Sequence, residues 1–215
     1  MKVSDYIAKT LKENGVNTVF GFQGSNVTHL IDSVSKTEGL SYIQNHHEQA
    51  SSFAACAYSS ITTGLGCAIA SSGPGAINMI SGIVNAWFDS IPVLFITGQL
   101  NTKGLRTSNI YRQQGFQEFD IVSTVKEFTK YSVTVKDPED IRYHLEKALY
   151  LAKEGRNGGV LLDIPHNVQT ADLDISSLKR FIPADEKISS VEQKKISDSL
   201  DDASSEYKPD STWNR

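Results

Sequence analysis

Six short apolar runs separated by segments of helical spacing are the feature that most constrains this chain. The runs are Thr18-Val19-Phe20, Leu40 to Ile43, Cys67 to Ala70, Val93 to Ile96, Tyr131 to Val135 and Val160 to Ile164. Between them, apolar residues recur every three or four positions, as in Val3, Ile7 and Leu11. Parallel strands need crossovers of about that length. Cys67-Ala68-Ile69-Ala70 is continuous rather than alternating, as a strand buried on both faces requires. The pattern predicts an α/β fold: a doubly wound, six-stranded, mainly parallel sheet with helices on both faces.

The helix signals are local. Ser4 is a plausible cap and Gly15 a stop for the first helix. Further helices are expected over Val27 to Val34, Ala50 to Tyr58, Gly75 to Phe88 and Glu118 to Phe128. Asp137-Pro138-Glu139-Asp140 combines a cap, an early proline and first-turn acids, and starts a helix that ends near Gly155. After Pro183 the character changes. Residues 184–215 are rich in Ser, Asp, Glu and Lys and read as a linker or disordered tail, with one weak helix from Val191 to Leu200. The folded domain is then 1–183.

Composition excludes several classes of function. Of 215 residues, 39 % are hydrophobic and 21 % charged, which suits a soluble globular protein. A net charge of −4 makes no electrostatic case for nucleic acid. No apolar stretch approaches the ~20 residues of a membrane span, and the start at Met1 has no signal-peptide apolar region. Cys56 and Cys67 both lie in apolar segments and read as buried thiols in a reducing compartment. A cytoplasmic protein is the expectation.

Glu48 is the residue that most invites a chemical reading. It follows the apolar run Leu40 to Ile43 and opens a helix of small residues. Open α/β sheets bind ligands at the carboxyl ends of their strands. A carboxylate in so apolar and alanine-rich a segment has a partner or serves chemistry. His46 and His47 beside it suggest a metal, but adjacent side chains diverge and no further ligand completes a known spacing. No metal is expected.

Other segments admit both a plain and a chemical reading. Gly21-Phe22-Gln23-Gly24-Ser25-Asn26 is a tight strand-to-helix turn, or a place where backbone approaches a ligand. It lacks the dinucleotide and Walker spacings. Ser71-Ser72-Gly73-Pro74-Gly75-Ala76-Ile77-Asn78 is a sharp turn into a helix whose free N–H groups face the same edge; alone it is more simply a turn, with Asn78 a packing residue. Trp87 and Phe88 are core or interface, and Asp89 a cap. Gly115-Phe116-Gln117-Glu118-Phe119-Asp120 follows the long polar loop Asn101 to Gln114, and is a capped helix start or a substrate contact. Neither cysteine has a basic partner, and Ser71 lacks a nucleophile-elbow context.

Taken together, the strand–HHEQA–helix, the SGPGAIN turn, the DSIP segment, the ITGQ strand end, the GFQE segment and Gly159 to Pro165 stand in the order of one family. The chain resembles the N-terminal, pyrimidine-binding domain of thiamine diphosphate-dependent enzymes, and the acetolactate synthase group in particular. The resemblance covers Met1 to Pro183. It implies that Glu48 hydrogen-bonds the pyrimidine N1′ of the cofactor. That bond favours the imino form, which takes the proton from the thiazolium C2; the carbanion then attacks a 2-keto acid. The flanks of Glu48, Ile43 on one side and Ala50, Phe53 and Ala54 on the other, suit a carboxylate kept from water. The resemblance further implies that Gly73, Pro74 and Asn78 line the pyrimidine pocket and that Gly24 and Ser25 face the reacting carbons. Phe116 and Gln117 would border the substrate channel, with Gln99 and Lys130 nearby.

The chain also departs from that family. Gln23 and Ser25 replace its usual proline and glycine, Gly158-Gly159 its Gly-Pro, and His166-Asn167 its Lys-Asp. The loop Asn101 to Gln114 differs too, so FAD stands only as a further candidate cofactor. The family's diphosphate-binding domain carries a Gly-Asp-Gly segment that holds Mg²⁺, and these 215 residues contain none. The expectation is therefore half of a site for decarboxylation and carboligation of 2-keto acids. It would be completed by a diphosphate-binding domain or subunit in trans, within a homodimer, with no nucleic-acid or membrane partner. A fragment or frameshifted product of a three-domain enzyme, the small subunit of a two-chain 2-keto acid decarboxylase, and a non-catalytic dimer through the helices around Glu48 and Trp87 all fit.

Overall fold

In chain order the elements are α1 (Val3–Glu13), β1 (Thr18–Gly21), α2 (Thr28–Lys36), β2 (Ser41–Gln44), α3 (Glu48–Thr62), β3 (Gly66–Ala70), α4 (Pro74–Asn78), α5 (Ile80–Phe88), β4 (Val93–Gln99), α6 (Ile121–Val125), β5 (Tyr131–Thr134), α7 (Ile141–Lys153), β6 (Gly159–Pro165) and α8 (His166–Thr170). They come from a computed structural model that describes residues 1–108, 110, 112–183 and 199. All of them fall within the unit Met1–Phe181. The expected helix Val191 to Leu200 lies outside the described residues, Ser199 apart.

The six strands form one sheet in the order β2-β1-β3-β4-β6-β5, and every pair is parallel. Strands β3, β4 and β6 are buried throughout, while β2 and β5 form the edges. Their alternate residues feed two cores. Cys67, Ile69, Leu94, Ile96, Val160 and Leu162 pack with Ile7, Leu11, Leu30, Ile141 and Leu145 of α1, α2 and α7. Ala68, Ala70, Phe95 and Leu161 pack on the opposite face with Ala55, Met79, Ile83 and Ile121 of α3 to α6. The small side chains on this second face let the layers close up. A Cβ on Gly82 would stand 2.2 Å from Ser52 Oγ, and one on Gly66 would stand 2.3 Å from the Ala55 carbonyl oxygen.

The strand order creates two places where neighbouring crossovers part. From β1 the chain moves outward to β2 and then returns past β1 to β3; from β4 it skips a position to β5, and β6 fills the gap. Crevices at the carboxyl ends of such strands are where open sheets take ligands. The loops after β1 and β3 flank the first crevice. The ends of β4, β5 and β6 flank the second.

Several helix boundaries differ from those read in the sequence. Ser4 does not cap α1: it lies buried inside the helix, where its hydroxyl meets Ser33 Oγ at 2.9 Å. The chain start is held instead by pairing of Lys2 with Asp172 and by the Val3 N–H bonded to the Ala171 carbonyl. The helix expected over Gly75 to Phe88 is two, because three-residue bonds, Met79 N–H to Ala76 and Gly82 N–H to Met79, tighten the chain at Met79. The one expected from Glu118 starts at Ile121, where Asp120 accepts the Ser123 N–H. Asp137 accepts the Glu139 N–H as expected, though Pro138–Asp140 is a 3-10 turn before α7. Cys56 and Cys67 are free and buried, and burial pushes their thiols up to about 11 and about 12. No helix among the described residues is long and apolar enough to cross a membrane.

Candidate functional site

Glu48 reaches the first crevice because the chain turns sharply after β2. The Asn45 N–H bonds the Gly21 carbonyl oxygen at 2.8 Å, which fixes the exit of β2 against the end of β1. His47 is extended, and its Nδ1 accepts the Gln49 N–H at 3.1 Å. The histidine next to the glutamate therefore caps α3, and Glu48 becomes the first helical residue. Its side chain is only 9 % exposed. Oε2 accepts a hydrogen bond from Asn78 Nδ2 at 3.0 Å. Oε1 lies over Gly75, where a Cβ would stand 3.1 Å away.

The cover over Glu48 thus comes from α4 and not from its sequence neighbours. Ile43, Ala50 and Phe53 are exposed, Ile43 at 45 % and Phe53 at 41 %. Expected flanks became an outward apolar rim because β2 is an edge strand and α3 turns that side of its first turns away from the sheet.

The turn before α4 draws two more segments together. Gly73 has φ 58°, and a Cβ there would stand 2.6 Å from the Gln117 carbonyl oxygen, so only glycine fits. Gln117 is itself left-handed, at φ 57°. On the other side a Cβ on Gly24 would meet Ser71 Cβ at 2.6 Å, and Asn26 Nδ2 donates to Ser72 Oγ at 2.6 Å. Gly24, Gly73, Pro74, Asn78 and Gln117 are therefore gathered with Glu48 around one turn. Ser25 is exposed beside an open hollow lined by Gln23, Thr28 and Ile31.

The remaining expected residues stand apart in instructive ways. Phe116 is 77 % exposed next to Gln117. Gln99 is 3 % exposed and fully engaged: Nε2 donates to the Phe119 carbonyl at 2.9 Å and to Asp163 Oδ2 at 3.2 Å, and Oε1 accepts the Leu100 N–H at 3.0 Å. It lies beneath the loop and not open to a ligand. Lys130 immediately precedes β5. In a parallel sheet the start of one strand lies at the edge opposite the ends of its neighbours. Its ammonium donates to the carbonyls of Glu154 and Arg156 there, and burial lowers its pKa. The structure does not bring Lys130 to Glu48.

Reading the sequence missed three residues. Gly75, inside the quoted SGPGAIN run, is the glycine against which Glu48 rests. Glu118 binds the polar loop to itself, accepting the N–H groups of Arg106, Gln114 and Gly115. Asp163 sits at the second crevice, 1 % exposed, accepting from Thr97 Oγ1 at 2.7 Å, Gln99 Nε2 at 3.2 Å and Thr134 Oγ1 at 3.0 Å. Burial outweighs those bonds and pushes its carboxyl up to about 7. Its one signal was an acid inside a continuous apolar run.

The profile of a known family, thiamine pyrophosphate enzyme, N-terminal TPP binding domain, matches residues 1–124. The chain belongs to this family. Several curated proteins are similar to the chain along most of its length. It is 38 % identical over 162 residues to the acetolactate synthase large subunit of Haemophilus influenzae, covering 75 % of this chain and 27 % of that one. It is 35 % identical over 170 residues to the corresponding subunit of Lactococcus lactis, covering 79 % and 28 %. It is 36 % identical over 168 residues to the chloroplastic acetolactate synthase of Arabidopsis thaliana, covering 78 % and 24 %. The chain spans about a quarter of the length of these curated relatives.

Proposed function

We propose that this chain is the pyrimidine-binding half of an acetolactate-synthase-like site, with Glu48 as its proton-holding group. The observation that carries the reading is the carboxylate itself. Glu48 is almost out of water, yet among the described residues it has a single side-chain partner, Asn78, and its Oε1 faces a glycine. A buried carboxylate with unused acceptor capacity suits a ring that presents a protonatable nitrogen. Bound thiamine diphosphate would supply the electron sink for decarboxylation and carboligation of 2-keto acids.

The chain's own residues have separate tasks. Asn78 fixes the rotamer of Glu48, so that one oxygen stays aimed outward. Gly73 and Pro74 shape a turn with no side chain in the way of a flat ring. Gly24 and Ser25, across the crevice, face the reacting end, and Gln117 and Phe116 border the approach of substrate.

Completion requires a partner. Exposed apolar side chains stand on elements around the site, Ile43 on β2, Phe53 on α3 and Ile77 on α4, and further ones, Trp87 and Phe88, at the end of α5 beside Lys130. We assign that surface to a second copy and to a diphosphate-binding domain or subunit, which would also hold Mg²⁺. Calorimetric titration with thiamine diphosphate and Mg²⁺ tests this. Weak or no binding is expected from the chain alone, and tight binding once the diphosphate-binding domain of a relative is added. Tight binding by the chain alone would overturn the reading, and so would the absence of any binding with the partner domain present.

A further inference from the structure

Asp163 is a buried acid that the proposed chemistry does not use. It lies on the same face of β6 as Leu161, toward α6, at the second crevice. Thr97 from β4 and Thr134 from β5 hold its two oxygens from either side. With the carboxyl so clamped, Oδ2 is presented to Gln99 Nε2. The same amide nitrogen donates to the Phe119 carbonyl, and the amide oxygen accepts the Leu100 N–H. Gln99 therefore ties both ends of one loop, its first residue and its last turn, to a single fixed carboxyl. Inside the loop, Glu118 gathers the N–H groups of Arg106, Gln114 and Gly115. The loop then delivers Gln117 against Gly73.

We infer that Asp163 is a positioning residue, which acts through Gln99 to hold the segment 100–120 that carries Phe116 and Gln117 against the Gly73 turn. The linkage runs through two hydrogen-bonded side chains, Asp163 and Gln99, to the backbone of the loop, and needs no contact between Asp163 and any ligand. It also makes the loop sensitive to protons. Both threonine hydroxyls can rotate to accept as well as donate, so the clamp accommodates a protonated carboxyl as well as an ionised one. A small cavity of ≈ 120 Å³ separates Asp163 from the loop. Besides Asp163, the charged groups lining it are Arg106, Glu118 and Asp120 from the loop and Lys136 beyond β5; β4 and β5 line it with the uncharged Gln99 and Thr134, and Thr97 faces Asp163 from β4. Burial keeps Asp163 protonated up to about pH 7, and Asp120 adds to that. Opening the loop would hydrate the carboxyl and release its proton, so opening is favoured as pH rises toward and past 7.

Amide hydrogen exchange on the full chain tests this without cofactor or partner, so failure here leaves the reading of Glu48 untouched. After correction for intrinsic rates, exchange at Arg106, Gln114 and Glu118 is expected to rise about tenfold from pH 6 to pH 8 and then level off. Asp163→Ala and Gln99→Leu each speed exchange at those amides by about tenfold or more and spare β1 and β3; together they add little, because they break one linkage. Asp163→Asn keeps the loop closed and abolishes its pH dependence. Thr134→Val removes one arm of the clamp but leaves Thr97 and Gln99 in place, and speeds exchange at those amides by less than Asp163→Ala does. Unchanged loop exchange in Gln99→Leu overturns the inference even if Asp163→Ala fails to fold. Persistence of the pH dependence in Asp163→Asn overturns it as well.

Discussion

Among the described residues two buried carboxyls stand at the carboxyl edge of this sheet, one at each crevice, and they are bonded in opposite ways. Glu48 opens a helix and, among the described residues, has one side-chain donor, on Oε2, while Oε1 lies beside a glycine. Asp163 lies mid-strand, with three donors packed around its two oxygens. Burial alone does not separate them, at 9 % and 1 %. What separates them is how their oxygens are held. Donors on both oxygens fix the Asp163 carboxyl from either side. Oε1 of Glu48 has no hydrogen-bond donor among the described residues, and an oxygen of that kind can accept one from a ligand.

The sharpest way to break the comparison is to remove each charge and read two quantities. Glu48→Gln keeps shape and the contact with Asn78, so the urea midpoint of the chain stays close to that of the parent. In an enzyme assembled with a diphosphate-binding partner, turnover is expected to fall by roughly 10²–10⁴-fold, as for a lost acid–base group. Near-normal turnover would remove Glu48 from the chemistry. Asp163→Ala should do the reverse in the chain by itself. It strips donors on Gln99, Thr97 and Thr134 of their acceptor and costs about 2–4 kcal/mol by urea unfolding. A change below about 0.5 kcal/mol would mean that the three bonds carry no net stability.

The same contrast explains what could be read in the sequence. Strands β3, β4 and β6 were visible as continuous apolar runs because both faces are buried, and the alternation of elements dictated the parallel sheet. Glu48 stood out because a carboxylate opens a helix of small residues. Its partners did not stand out: Asn78 and Gly75 meet it only when α4 folds over α3, thirty residues apart in sequence. Gln99 was placed near the substrate channel by the family resemblance, and its amide turns under the loop toward Asp163. Lys130, placed near the channel by the same resemblance, stands at the opposite edge of the sheet from Glu48. Proximity in a family pattern carries no information on which end of a strand a residue occupies. The break at Met79 was hidden because both halves share one apolar face.

The pH dependence of stability sharpens the comparison next. The folded-state pKa of Asp163 lies above the unfolded one, at about 7 against 3.8. Its contribution is complete below the unfolded value and is lost as pH rises toward the folded one; above that it is flat. From pH 5 to pH 7 the chain should lose about 2 kcal/mol relative to Asp163→Asn, measured as the difference between their urea midpoints. Parallel curves for the two proteins would show that the carboxyl is already ionised in the fold. Cys56 and Cys67, pushed to about 11 and about 12, do not titrate in that range and do not disturb the comparison.

The smallest effect expected is at Lys130, and it discriminates between edges of the sheet. Its ammonium ties the carbonyls of Glu154 and Arg156 at the end remote from both crevices. Lys130→Met keeps the aliphatic stem and removes the donor. The side chain is only partly buried, so the loss should be about 1 kcal/mol or less by urea unfolding. Turnover of the assembled enzyme should be unchanged, because nothing links this edge to Glu48. A fall in turnover with stability intact would instead mean that a partner chain carries Lys130 to a second copy's site, and the apolar surface along Trp87 and Phe88, which shares a hollow with Lys130 and Arg156, is where such a contact would form.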